Sequence, residues 1–162
     1  MELVLTALTW LSALGSALIA GVFFAFSTFV MAAFGRRPAA ESIAAMQEIN
    51  VVVVRSGFMA VFLGTAVTSA LLALFALLRW DDPRAIWWLA GAALYVLGTF
   101  VLTIVRNVPL NDRLAAVDPA SPEGADVWKL YLSDWTWWNT VRTAASLAAT
   151  AAFIVAIRLA PA

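Results

Sequence analysis

One charged side chain stands inside a long apolar run near the C-terminal end of the chain. The stretch SDWTWWNTVRT at residues 133–143 contains Arg142, about two helical turns, or about 10 Å along a helix axis, beyond Trp135. If this run crosses a membrane, the guanidinium either extends to the headgroups or turns inward. An inward guanidinium would hold an anionic oxygen, or a carboxylate such as Asp112 or Asp134.

The same segment carries a polar face. Five side chains recur at steps of three, four, three and four residues, which is the spacing of one helix face: Thr136, Asn139, Thr143, Ser146 and Thr150. This face predicts either the wall of a pocket or hydrogen bonds between packed helices. Asp134 also has a structural alternative, because an Asp directly before a helix often serves as its N-cap.

Two further polar clusters come from other parts of the chain. The stretch RNVPLND at residues 106–112 is built around a proline that predicts a turn, either as the rim of a pocket or as a solvated loop end. The segment 39–54 has apolar residues at helical spacing, which predicts an amphipathic interfacial helix. The polar residues are Arg106, Asn107, Asn111 and Asp112 in the first cluster, and Gln47, Glu48 and Asn50 in the second.

Composition indicates an integral membrane protein. Of the 162 residues, 64% are hydrophobic and 12% are charged, and the mean hydropathy is +0.91. A soluble chain of this length could not bury so much apolar surface. The formal net charge is zero without a basic patch, so we expect no nucleic-acid partner. The chain has no His and no Cys, which removes the commonest zinc, copper, haem and iron–sulfur ligands, and we expect no metal and no cofactor.

Four long apolar stretches must position these residues. Each is long enough to cross a bilayer, which takes about 20 residues, and their approximate bounds are 3–34, 56–79, 84–106 and 135–158. Asp82 and Pro83 are typical of an N-cap and first helical position for the third span. We expect one integral membrane domain over residues 1–162, multi-pass in the cell membrane.

The predicted fold is all-α, an antiparallel transmembrane four-helix bundle with short interfacial helices in its two long loops. The second of these helices would run from Ser121 to Leu132. Close approach of the spans is expected at Gly57, Gly64, Gly91 and Gly98. Such a topology brings both long loops, and with them all three polar groups described above, to one side of the membrane.

Four stretches together resemble the anthrone oxygenase-like family of small membrane proteins: GVFFAFSTFVM (21–31), AAMQEIN (44–50), RNVPLND (106–112) and W…YLSDWTWWNTVRT (128–143). The resemblance implies a four-helix membrane protein. In characterised relatives it implies oxidation of an anthrone to an anthraquinone by molecular oxygen, without a known metal or flavin.

The resemblance also implies a set of site residues. It assigns catalysis to Arg142 and Asp112, and we add Asp134 as a third catalytic candidate. It assigns substrate binding to Gln47, Asn50, Arg106, Asn107, Asn111, Trp138 and Asn139. The sequence departs from the family pattern at Thr140, where relatives often have a His that would be an obvious base. Asp112, Asp134 or Glu48 could take that role here.

The sequence therefore predicts a cofactor-independent oxidation of a lipophilic anthrone- or quinone-like substrate, in a bundle pocket near one membrane face. The alternative is a non-catalytic membrane module that binds a lipid, a quinone or a partner helix. A transporter is the weaker third option, because the spans lack repeats and broken helix pairs. The expected partners are membrane lipid and a lipophilic small molecule, and a homo-oligomer stays open.

Overall fold

The computed structural model describes residues 1–160. In that range the chain forms helices and turns, with helices α1 (Glu2–Phe34), α2 (Ala39–Val54), α3 (Gly57–Leu78), α4 (Ala85–Ala115) and α5 (Pro122–Arg158). All of these except α2 are long and apolar enough to cross a membrane. The predicted all-α fold with four membrane-spanning helices is therefore confirmed.

The four long helices form a ring in chain order. Helix α1 packs against α3 and α5, and α4 packs against the same two helices on the opposite side. Helix α2 closes one end, where Ile43 and Met46 are fully buried among residues of α1, α4 and α5, including Met31, Leu114 and Tyr131. The amphipathic helix predicted for residues 39–54 is thus present. It covers the end of the bundle that carries Gln47, Asn50, Asn107 and Asn111, which we call the polar end.

The predicted turn at residues 106–112 is wrong, because α4 continues through it to Ala115. A proline inside a helix lacks an N–H donor and crowds the carbonyl four residues earlier. Here Pro109 follows directly on a π-helical turn at Thr103–Asn107 and stands at the start of the last α-helical segment, Val108–Ala115. The wider turn accommodates the proline without ending the helix.

The short helix predicted before the fourth span is not a separate element. Helix α5 is one continuous element of 37 residues, about 55 Å long at the usual rise per residue. Its N-cap is Ser121, whose Oγ accepts a hydrogen bond of 2.9 Å from the backbone N–H of Gly124. The helix predicted at 121–132 is therefore the first part of α5, and Asp134 lies inside this helix rather than at its N-cap.

Two of the four glycines expected at close helix contacts fulfil that role. A Cβ on Gly91 would lie 2.7 Å from the ring of Phe153 in α5, and one on Gly98 would lie 2.8 Å from Cβ of Ala145. Among residues 1–160, no atom beyond the glycine's own stretch of helix lies within 4 Å of a Cβ built on Gly57 or Gly64. Both of these contacts join α4 to α5, and a further one joins α1 to α3, where a Cβ on Gly15 would clash with Oγ1 of Thr65.

A charged cluster ties the other end of the bundle together. Arg84 is buried and donates to Asp82 Oδ1 from both its backbone N–H and its Nε, each at 2.9 Å, and to Glu2 from Nη2 at 2.7 Å. These hydrogen bonds with Arg84 hold the pKa of Asp82 below its usual value. Asp82 does cap a backbone N–H as expected, but the regular helix begins at Ala85, so Pro83 lies in the preceding turn.

Candidate active-site cavity

A cavity of about 370 Å³ lies at the polar end of the bundle, between all five helices. Its lining is mainly apolar and rich in phenylalanine, with Phe23 and Phe26 from α1, Phe58 and Phe62 from α3, and Phe100 from α4. The polar residues in the lining are Asn50, Thr103, Asn111, Trp135 and Arg142. The cavity is thus a hydrophobic chamber with a few polar groups.

Arg142 points into the bundle, so the inward alternative is correct. The residue is only 3% exposed. Its Nη1 donates to Thr103 Oγ1 at 3.0 Å, and its Nη2 donates to Asn139 Oδ1 at 2.8 Å. Its Cζ lies 4.1 Å from the centre of the Phe23 ring and 5.4 Å from that of Trp135. Neutral hydroxyl, amide and aromatic groups therefore hold the cation in place.

The expected ion pair of Arg142 with Asp112 or Asp134 does not form. No carboxylate among residues 1–160 lies within ion-pair distance of this guanidinium. Asp112 and Asp134 are both exposed, and Asp134 Oδ1 instead accepts from Ser133 Oγ at 2.7 Å. The reason is geometric, because Asp134 lies about 12 Å before Arg142 along the axis of α5.

Two polar atoms in residues that line the cavity are buried without a protein partner. They are Nε of Arg142 and Nδ2 of Asn50, neither of which meets an acceptor in the described part of the chain. A buried donor without an acceptor is costly. Both donors would be satisfied by an oxygen atom of a ligand or by water in the cavity.

Asn111 presents its amide in a fixed orientation. Its Oδ1 accepts two hydrogen bonds of 2.8 Å each, one from Tyr131 OH and one from Trp135 Nε1. The rings of Tyr131 and Trp135 stack with their centres 5.7 Å apart. These donors fix the amide plane of Asn111 at the cavity wall.

The other predicted binding residues lie outside the cavity lining. Gln47 Nε2 donates to the carbonyls of Leu114 and Val117, which ties α2 to the end of α4. Asn107 Nδ2 donates to the carbonyl of Trp135 at 3.2 Å. The exposed Arg106 lies over the ring of Trp138, with 4.6 Å between Cζ and the ring centre. Asn139 is fully buried and reaches the site through Arg142.

Position 140 lies away from the cavity. Thr140 is exposed, and its Oγ1 donates to the carbonyl of Thr136 at 2.9 Å and lies 3.0 Å from Ser27 Oγ. The polar face of α5 does point inward, but four of its five members bond to the helix backbone or to neighbouring helices, as Ser146 does to Thr99 at 2.8 Å. The buried Oγ1 of Thr136 has no partner among residues 1–160. Hydrogen bonding between packed helices is therefore the correct interpretation of that face.

The predicted site residues include Trp138 but not the buried aromatic residues of α5. Trp128 and Trp135 are buried, and Trp135 lines the cavity, whereas Trp138 does not. A signal was present, because one helix face carries Trp128, Tyr131, Trp135, Asn139 and Arg142 at steps of three, four, four and three residues. Recognising it required knowing that α5 is continuous from Pro122.

Comparison with known proteins gives one finding. The family model described as anthrone oxygenase matches residues 52–152. That range includes α3, α4 and the cavity residues Thr103, Asn111, Trp135 and Arg142. Searches of curated proteins and of solved structures found no significant match.

Proposed function

We propose, from the premise that the chain belongs to the anthrone oxygenase family, that it oxidises a lipophilic anthrone- or quinone-like substrate with molecular oxygen and without a cofactor. One observation carries the proposal. The buried Arg142 has no carboxylate partner among residues 1–160 and lines an apolar cavity of about 370 Å³. Such a cation favours an anionic oxygen in that cavity.

The cavity suits a flat aromatic molecule. Its volume falls within the usual range of about 300–1,000 Å³ for small-molecule sites. Phenylalanine rings from α1, α3 and α4 line it, and Trp135 and Arg142 lie on the α5 side. A polycyclic ketone placed there would stack on aromatic rings, with its oxygen directed at the guanidinium.

The chemistry follows from the charge that develops during the reaction. Loss of a C–H proton from an anthrone gives an enolate whose negative charge rests on oxygen, where Arg142 and Asn50 can stabilise it. The electron-rich carbon transfers electrons to O₂ and forms a C–O bond, which gives a peroxide. The peroxide then loses the second C–H proton together with hydroxide. One anthrone and one O₂ thus give one anthraquinone and one water.

The proton acceptor in this proposal is water rather than a resident carboxylate. The acids considered as bases, Glu48, Asp112 and Asp134, are all exposed and absent from the cavity lining. A buried guanidinium strongly favours the ionised form of an acidic ligand next to it. The substrate would therefore ionise on binding.

We place this reaction in the cell membrane, from whose lipid the substrate is drawn.

Oxygen uptake by the purified protein in liposomes tests this function. With an anthrone as substrate, we expect uptake above the spontaneous rate and one anthraquinone formed per O₂. Arg142→Met should lower the catalysed rate by about 10²- to 10³-fold, as the loss of a main oxyanion donor does. Arg106→Met is the matched control, because it removes an exposed arginine at the same end of the bundle. Uptake equal to the spontaneous rate would reject the oxygenase.

The non-catalytic binding module is the second candidate, favoured by one observation. No carboxylate lines the cavity in the described part of the chain, and the chain has no His, so the cavity holds no strong base. This candidate predicts that a lipid or quinone stays bound through purification, that Arg142→Met releases it, and that the wild-type protein consumes no oxygen.

A further inference from the structure

The walls of the cavity differ in exposure. On the side of α1 and α5, Phe23, Trp135 and Arg142 are buried. On the side of α3 and α4, the lining residues Leu63 and Ile104 are 45% and 50% exposed. Since both helices are long and apolar enough to span the membrane, their exposed faces meet acyl chains rather than water.

The helices separate where these exposed residues lie. Helix α3 packs along Ala85–Val101 of α4, whereas the following π-helical turn at Thr103–Asn107 packs against α5. Two π-helical turns in succession, at Val96–Val101 and Thr103–Asn107, redirect the face of α4. A gap thus opens between α3 and the second half of α4, at the level of the cavity.

We propose that the cavity opens sideways into the bilayer between α3 and α4, and that a lipophilic ligand reaches it from the acyl-chain region between Leu63 and Ile104. The class of ligand rests on the proposed function, while the route rests on geometry alone. The exposed residues of the cavity lining are all apolar, namely Val54, Leu63, Ile104 and Val108. An apolar solute concentrates in the bilayer, and this route spares it a passage through water.

The end of the bundle is a poorer route. Helix α2 covers it, with the buried Ile43 and Met46 packed against Trp128 and Tyr131. Passage there would require α2 to lift from a close-packed core. On the proposed side route, Leu63 and Ile104 are exposed and no helix of residues 1–160 covers them.

Thiol labelling in liposomes tests the route without relying on turnover. The chain has no cysteine, so Met46→Cys places a single thiol on a buried residue that lines the cavity. We expect N-pyrenylmaleimide, which dissolves in the bilayer, to label this thiol faster than a sulfonated maleimide that stays in water. Adding Leu63→Trp and Ile104→Trp should slow the pyrene labelling at least fivefold.

A matched pair of tryptophan substitutions controls for the added side-chain volume on the same two helices. Leu71→Trp and Leu97→Trp change exposed residues of α3 and α4 outside the cavity lining, and we expect no effect on labelling. Ile104→Trp alone serves if the double variant does not fold. Equal labelling with and without the blocking pair, or faster labelling by the sulfonated reagent, would overturn the side route.

Steady-state kinetics with an anthrone give a second test of the same variants. The blocking pair should raise the KM for an anthrone at least fivefold and change kcat little, because it hinders access and leaves Arg142 in place. A wild-type protein that is labelled as expected but consumes no oxygen would reject the oxygenase and keep the route. A protein that turns over equally well with and without the blocking pair would reject the route and keep the oxygenase.

Discussion

Nη2 of Arg142 donates a 2.8 Å hydrogen bond to Oδ1 of Asn139, three residues earlier on α5. The amide of Asn139 in turn donates to the carbonyl of Phe23 and to Ser27 Oγ, each at 2.7 Å. A neutral amide thus joins the guanidinium to the backbone of α1. Because this acceptor carries no charge, the positive charge of Arg142 remains available to a ligand.

Asn139→Asp tests whether that neutrality matters. The carboxylate would pair with Arg142 and cancel its charge, so we expect turnover of an anthrone to fall about 10²-fold, as when an oxyanion donor is removed. Thr140→Asp is the control, since it adds the same charge on the next residue, which is exposed and outside the lining. Full activity of Asn139→Asp would show that a free cation is not needed.

Tyr131→Phe tests the orientation of Asn111. The variant removes one of the two donors to Asn111 Oδ1, and one such hydrogen bond contributes about 1 kcal/mol to stability. We expect a modest fall in the thermal midpoint and a several-fold rise in KM. Tyr95→Phe removes a comparable bond, from Tyr95 OH to the carbonyl of Phe62 at 3.1 Å, and should lower only the midpoint. Equal KM values in the two variants would contradict a positioning role.

Gly91→Ala tests the contact between α4 and α5. The new Cβ would lie 2.7 Å from the ring of Phe153, which is fully buried, and such overpacking costs about 1–3 kcal/mol. Gly64→Ala adds the same methyl where, among residues 1–160, no atom beyond its own stretch of helix lies within 4 Å, and should be neutral or slightly stabilising because alanine favours a helix. Thermal unfolding in detergent measures both, and equal midpoints would argue against this helix contact.

Asp82→Asn tests the charged cluster at the other end of the bundle. Because the pKa of Asp82 is lowered by Arg84 from its usual 3.8, its contribution to stability is present above that value and is lost as the pH falls through the folded-state pKa. We expect Asp82→Asn to cost about 1–3 kcal/mol at pH 7. The difference from wild type should persist down to about pH 4 and shrink below it. If the stability difference between Asp82→Asn and wild type does not depend on pH, the negative charge of Asp82 is not its cause. Glu2, which also pairs with Arg84 and Arg79, would then hold the cluster together.

The sequence predicts the four long helices well because bilayer thickness imposes a long apolar run on each of them. It predicts the helix ends poorly. Pro109 is accommodated by a π-helical turn, and Asp134 is exposed within a longer helix, and neither arrangement has a local signature. For the site, a charge in an apolar run was enough to identify Arg142. The phenylalanines of the cavity look like any other lipid-facing residue, so only packing reveals them.

The stabilisation of an anionic oxygen by Arg142 can be measured without turnover. In the absence of oxygen, an anthrone bound to the protein in liposomes would be titrated with base, and its enolate followed by absorbance. We expect the wild-type protein to ionise the ligand at a lower pH than free anthrone in the same lipid, and we expect Arg142→Met to remove this shift while Arg106→Met keeps it. The same ionisation midpoint with and without the Arg142 guanidinium would show that Arg142 does not stabilise the anionic oxygen.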